Sequence, residues 1–270
     1  MLPKMTRNNG VGCSLPRSNT APYEVLAVDP HGARKQCEEI CVEETVNIIL
    51  NGRRITRLVI TPEDLTAFIT GYLVCEGVVS SLDDIHTIRE EFPDIYVTAT
   101  GIPPDISKEI EIRSSGSPGV AASGKNQDIP LENEIRISLQ TLFSGMDKIN
   151  QLASTWRRTG GTHCTILLDT EGRVIASSED MGRHSSVDKA VGTALISGFD
   201  LSRCFMVCSG RLPEGMVRKA YHAGICIMAS NNAPFTSGID LARRVNMTLV
   251  GFARPPRAIL YSVPDRIVLP

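Results

Sequence analysis

The sequence predicts an α/β protein: a β-rich amino-terminal part followed by a core in which strands alternate with covering helices. Three observations carry this. From Cys164 onward, apolar runs of strand length alternate with amphipathic runs of helix length, the order that gives parallel pairing with helices packed across the sheet. Ahead of that point, two apolar runs are joined by Asn51-Gly52, a pair that supplies positive φ cheaply and marks a hairpin. With 270 residues, 42% of them hydrophobic, the chain is long enough for one large or two modest domains with a sizeable core.

Residues 1–20 read as a flexible terminus, 21–135 as an amino-terminal α+β part and 136–270 as the α/β core. The hairpin runs from Val42 to Leu50 and from Leu58 to Ile60. Thr61-Pro62-Glu63-Asp64 reads as a helix start, with Thr61 as cap, Pro62 in the first turn and acids suited to the dipole. Leu65, Phe68, Ile69 and Tyr72 follow at helical spacing, and Gly77 closes the region. Ile95 to Thr100 and Glu109 to Arg113 read as strands. The small residues of Ser114 to Lys125 bury little and predict a mobile loop. Leu139, Leu142, Phe143 and Met146 mark one amphipathic helix ending near Arg157.

Cys164 to Leu168 and Val174 to Ser177 read as a second hairpin. Ser185 with Asp188 three residues on resembles a capping box, and Val187, Ala190, Val191, Ala194 and Leu195 give its helix a buried stripe. A strand from Phe205 to Cys208, a helix from Pro213 to Ala223, a strand from Ile225 to Ala229, a helix from Thr236 to Val245 and a strand from Leu249 to Phe252 complete the pattern.

Composition excludes several functions. Charged residues are 21% and the net charge is −2, which argues against disorder and against binding of duplex nucleic acid. No apolar run is long enough to span a membrane, and the polar first twenty residues lack a secretion signal, so the chain reads as cytoplasmic with reduced thiols. Neither Gly-x-Gly-x-x-Gly nor the Walker pattern occurs. The zinc-deaminase signature is missing too: His163 is followed by Cys164-Thr165, and no Cys-x-x-Cys exists, so no metal site is expected.

The densest charge pattern is Glu179-Asp-Met-Gly-Arg-His-Ser-Ser-Val-Asp-Lys189. A packed core accepts such density only if the charges are paired. The segment reads as part of a working surface that meets a polar, anionic ligand. Other polar clusters fall at strand ends: Thr159-Gly-Gly-Thr-His163, Ser209-Gly210-Arg211, Asn231-Asn232 and Phe252-Ala253-Arg254-Pro255-Pro256-Arg257. In open α/β sheets, ligands bind beyond the carboxyl ends of strands, where helix N-termini offer free N–H groups. Arg211, Arg254 and Arg257 suit bidentate contacts to phosphate. His163 and His184 read either as acid–base groups or as hydrogen-bonding residues at a helix end or in the core. Cys164, Cys204, Cys208 and Cys226 read as buried strand cysteines.

These motifs come in an order that resembles the FdhD family, the formate dehydrogenase accessory or sulfur-carrier proteins. The resemblance rests on Thr159 to His163, Glu179 to Lys189, Ser209 to Arg211, Lys219-Ala220, Ala233-Pro234 and Leu249 to Arg254. In the amino-terminal half it rests on Asn51-Gly52, Thr61 to Leu65 and Gly71 to Gly77. It implies a cytidine-deaminase-like three-layer core with an appended β-rich part, in a cytoplasmic homodimer. It also implies persulfide sulfur received from a cysteine desulfurase and passed to the molybdenum or tungsten molybdopterin guanine dinucleotide cofactor of formate dehydrogenase. By the same resemblance, Phe252, Ala253, Arg254, Pro255, Pro256 and Arg257 form the cofactor-binding segment. Ser209, Gly210, Arg211, His163 and His184 are the further candidates for that site, and GDP is the expected mimic.

One departure stands out. Where sulfur-carrying members hold Cys-Gly-x-Cys-Gly, this chain reads Ser115-Gly116-Ser117-Pro118-Gly119. A hydroxyl carries no persulfide and proline has no nucleophile. The expectation is therefore an accessory protein that keeps the cofactor-binding face, with impaired sulfur transfer and no assigned catalytic residue. Cys75 is the weighed substitute thiol. The alternative is a non-catalytic binding protein, or chaperone, for an apo-oxidoreductase.

Overall fold

The computed structural model describes residues 18–102, 110–112, 118–120, 128–132 and 134–270. Its first element is not anticipated above. β1 (Thr20–Asp29) and β2 (Gly32–Cys41) form a long antiparallel ribbon. Tyr23, Leu26, Val28 and Ile40 are exposed on it. Water reaches both faces, so the sequence carries no apolar alternation there to betray the strands.

β3 (Glu44–Leu50) and β4 (Arg53–Ile60) are the expected hairpin, with Asn51 and Gly52 both at positive φ (47° and 81°). They join β5 (Ile85–Glu91) and β6 (Asp94–Ala99) in a sheet of order β4-β3-β6-β5. Only β6 was expected; β5 is an edge strand whose residues are mostly exposed. Val46, Ile48, Ile60 and Ile95 on the inner face bury α1 (Leu65–Cys75) through Phe68, Ile69 and Leu73. Thr61 does not cap this helix. Asp64 precedes it at φ 55° without a side-chain cap, because Thr61 is committed to a buried network described below.

β7 (Ile110–Ile112) pairs antiparallel with β8 (Pro118–Val120), so Pro118 opens a strand opposite Ile112. Ser115, and with it most of the predicted loop, lies outside the described residues. β9 (Ile137–Ser138) leads into α2 (Leu139–Leu152) and α3 (Ser154–Thr159). These were expected as a single helix; the backbone at Ala153 (φ −74°, ψ 68°) breaks it without glycine or proline.

The core sheet has the order β11-β10-β12-β13-β14-β15. β10 (His163–Asp169) and β11 (Val174–Asp180) are antiparallel. β12 (Cys204–Cys208), β13 (Ile227–Ser230) and β14 (Thr248–Arg254) run parallel, and β15 (Arg257–Ser262) returns antiparallel. β16 (Ile267–Val268) pairs with β9. Successive strand residues point to opposite faces. Leu167, Met206 and Met228 therefore meet α4 (Arg183–Ile196), α5 (Glu214–His222) and α6 (Thr236–Arg244), while Ile166, Leu168, Phe205 and Val207 meet α2. This is the expected three-layer core.

The two sheets are joined helix to helix. α1 crosses α4 at Gly71 and Gly192. A Cβ on Gly71 would lie 1.8 Å from the Asp188 carbonyl oxygen, and one on Gly192 would lie 1.8 Å from that of Ala67. Backbone meets backbone, so neither contact yields by a rotamer change. Gly71→Ala is expected to cost on the order of 3 kcal/mol despite alanine's better helix propensity, because the helices must separate. Urea unfolding would record this as a lower midpoint at unchanged slope.

Candidate functional site

The charged side chains of segment 179–189 that were read as facing a ligand turn largely to protein partners, while Met181 of the same segment lines the cavity described below. Glu179 accepts the Thr155 and Trp156 N–H groups (2.8 Å each) and the Thr162 hydroxyl (2.8 Å), satisfying the free donors that open α3. Asp180, fully buried, accepts the Thr61 hydroxyl (2.7 Å) and N–H (3.1 Å) and pairs with Lys189 (2.9 Å). Lys189 also donates to the Thr61 carbonyl (3.0 Å). Asp188 binds Lys219 (2.7 and 2.9 Å), which reaches Glu76 at 2.5 Å. The capping box expected of Ser185 and Asp188 does not form: α4 begins at Arg183 after Gly182, and Asp188 turns to Lys219 instead. Asp180 and Lys189 pair with each other and share Thr61, more than a hundred positions earlier, and Asp188 meets Lys219, 31 positions later, contacts that no local pattern reveals.

The concave site lies beside this network. β10 is antiparallel to β12, so its start meets the carboxyl ends of β12 and β13. The cavity there measures about 320 Å³, at the lower end for ligand pockets. One wall is apolar: Ile149, Ala153, Trp156 and Met181. The other is polar: Gly161, Thr162, His163, Ser209, Asn231 and Asn232. Hydrogen bonds tie the strand ends together. Asn232 Nδ2 donates to the Ser209 carbonyl (2.8 Å), Ser230 Oγ to the Gly210 carbonyl (2.6 Å), and the Phe252 N–H to the Asn232 carbonyl (3.1 Å). Arg254 Nε donates to the Asn231 carbonyl (3.1 Å) and leaves the rest of its guanidinium uncommitted among the described residues.

The sequence candidates divide as follows. His163 and Ser209 line the cavity. Gly210 stands behind it, where a Cβ would meet that of Arg183 at 2.7 Å. Arg211 is exposed, its guanidinium 5.9 Å from the Phe235 ring. Phe252 is exposed at φ 49°, Ala253 is buried in the core, and Pro255 and Pro256 form the tip of the β14–β15 hairpin. Arg254 and Arg257 are register partners across that tip, an opposition of like charges that an anion relieves. Among the described residues neither makes an ion pair. His184 is buried in the first turn of α4 and does not line the cavity. Among the described residues, no group of three or more His, Cys, Asp or Glu is placed to hold a metal.

Burial, then the charges of Arg183 and Arg211, lower the pKa of His163. Burial raises Cys164, which lines the cavity, to about 12, Cys204 and Cys208 to about 11, and Cys75 well above its ordinary value, which disfavours the thiolate at each. Cys75 is 1% exposed and offers no route for a substitute persulfide. The thiol that the sequence reading missed is Cys41. It is half-buried at the end of β2, and Gly161 packs on it so closely that a Cβ there would lie 2.7 Å from Cys41 Cβ and 3.5 Å from Sγ. Trp156 was missed as well, whereas Met181 lies in the 179–189 segment that the sequence read as ligand-facing. Their place on the cavity wall depends on the break at Ala153 and on the β11–α4 turn.

A family model described as the FdhD/NarQ family matches residues 41–268. The chain is 35% identical over 242 residues to the sulfur carrier protein FdhD of Methanothermobacter thermautotrophicus, covering 87% of this chain and 94% of that one. It is 31% identical over 271 residues to that of Streptomyces avermitilis, covering 93% and 96%. The crystal structure of a protein from Desulfotalea psychrophila, described as a formate dehydrogenase accessory protein, superposes with a TM-score of 0.77 at 26% identity. The match covers 93% of this chain and all of that one.

His163 and His222 both have pKa values lowered by burial. The unfolded chain takes up protons as pH falls through about 6.5 while the folded histidines resist, so the unfolded state gains. Stability is expected to fall as pH drops below that value and to level off once the folded histidines are protonated. Melting temperatures at pH 7.5 and 5.5 would show the loss, and a His163→Gln, His222→Gln double variant should flatten it.

Proposed function

This chain belongs to the FdhD/NarQ family, and on that footing we propose that it is a formate dehydrogenase accessory protein that holds the guanine dinucleotide form of the molybdopterin cofactor for its client enzyme. The observation that carries the reading is the carboxyl edge of β12, β13 and β14. There an amphipathic cavity opens beside three exposed arginines, Arg211, Arg254 and Arg257, two of them forced together across a tight hairpin. A cavity of about 320 Å³ encloses one planar or ring portion of such a ligand, between the Trp156 side and the hydrogen-bonding wall of His163, Ser209 and the asparagines. The diphosphate then lies along the arginine edge, where bidentate contacts and relief of like-charge repulsion favour it. These residues bind and orient, and the site is part of a cytoplasmic homodimer by analogy with the family.

Sulfur transfer by the family route is impaired in this reading, because Ser115 and Pro118 replace the carrier thiols. A second reading keeps the transfer and rests on Cys41, the half-buried thiol against the cavity wall. Burial and the charges of Asp180 and Glu179 raise its pKa, which weakens it as a nucleophile and favours the first reading.

Two measurements test this. GDP should bind the wild-type protein in calorimetry, and Arg254→Ala should weaken it by roughly 10-fold or more, the loss of one charge-assisted contact. Absence of any heat would instead favour a chaperone that grips an apo-oxidoreductase and no nucleotide. Incubation with a cysteine desulfurase and cysteine should leave every cysteine without a gain of about 32 mass units, one sulfur. Such a gain on Cys41, lost in Cys41→Ala, would establish the second reading.

A further inference from the structure

Ser209 is held by contacts that leave its hydroxyl proton one protein acceptor among the described residues. Its N–H donates to the Cys164 carbonyl (2.9 Å), and its carbonyl accepts Asn232 Nδ2 (2.8 Å). Its Oγ accepts the Cys164 N–H (3.0 Å) and lies 3.2 Å from His163 Nδ1. A hydroxyl has a single proton, and no other acceptor for it is found among the described residues. If Nδ1 carried a proton and donated to Oγ, the hydroxyl would give up its one protein acceptor and turn to the cavity. The network is fully used only when Ser209 donates to a bare Nδ1. A neutral imidazole then carries its proton on Nε2. Nε2 makes no hydrogen bond to the described residues, and His163 lines the cavity.

We propose that Ser209 is a positioning residue that locks His163 as the neutral Nε2–H tautomer, so that the cavity presents a fixed hydrogen-bond donor matched to an acceptor atom on the ring portion of its ligand. This rests on the proposed function for the ligand, but the lock itself is a property of the free protein. The surrounding charges agree with it. Burial, Arg183 on α4 and Arg211 after β12 disfavour a second proton, while Asp180 on β11 opposes them. A donor set by a neighbour rejects a ligand that offers another donor at that point, so the arrangement contributes selectivity as well as affinity.

The test uses the full-length protein with nitrogen-15-labelled histidine. Long-range proton–nitrogen correlation spectra at pH 7.5 distinguish the two neutral tautomers and the cation, and His163→Gln identifies the His163 signals. The wild type should show Nε2–H, and GDP should shift that nitrogen. Ser209→Ala should give a tautomer mixture and weaken GDP binding about 10-fold by calorimetry, while Ser209→Thr, which keeps a hydroxyl, should restore the spectrum. An Nδ1–H or cationic His163 in the wild type, or an unchanged tautomer in Ser209→Ala, overturns the lock. GDP binding that leaves the His163 nitrogens unmoved overturns the donor role. If GDP fails to bind while the Nε2–H signature persists, the nucleotide reading falls and the lock stands.

Discussion

The crossing of α1 and α4 is the constraint on which the molecule depends. Gly71 and Gly192 let the two backbones touch, and two buried ion-pair groups flank the contact. Lys189 joins Asp180 to Thr61 on one side, and Lys219 joins Asp188 to Glu76 on the other. Neither group would be stable alone. A buried lysine without its carboxylate, or the reverse, costs several kcal/mol, while the intact pairs are close to neutral against an apolar filling. They leave a single orientation in which the amino-terminal sheet sits on the core.

The cavity inherits its shape from that orientation. Asp180 ends β11 and Gly182 opens α4, so fixing Asp180 through Thr61 fixes the turn that carries Met181 and Arg183. Glu179, one residue earlier, caps α3 and holds Trp156 at the cavity wall. The ion pairs of this segment, which face away from the cavity, still set where the ligand-facing residues stand.

The fold was legible where one face of an element is buried. The β3–β4 hairpin, α4 to α6 and the parallel strands all carry periodicity or turn chemistry that says so. The β1–β2 ribbon carries none, because solvent lies on both faces. The α2–α3 break was not legible, since Ala153 is an ordinary helix former. Of the site, the polar clusters at the strand ends were readable, because strand-to-helix junctions at the carboxyl edge are where such sheets bind ligands. His163 and Ser209 followed from this. Trp156 and Cys41 did not, because their positions depend on contacts between distant segments. The charge density of residues 179–189 was read correctly as needing partners, and the structure supplies them from within the protein while placing Met181 of the same segment on the cavity wall. Thr61 and Lys219 are the distant partners, and their separation in sequence hid them.

That separation also bears on how the molecule comes into being. Thr61 waits 119 positions for Asp180 and 128 for Lys189, and the second cluster is closed only by Lys219. A nascent chain leaving the ribosome can assemble its first sheet early, yet the outer side of α1 stays wet and Glu76 unanswered until most of the polypeptide has emerged. Contacts of such range are slow to form. For much of its synthesis the amino-terminal half is thus an unfinished surface, and helpers that shield emerging chains would meet it there.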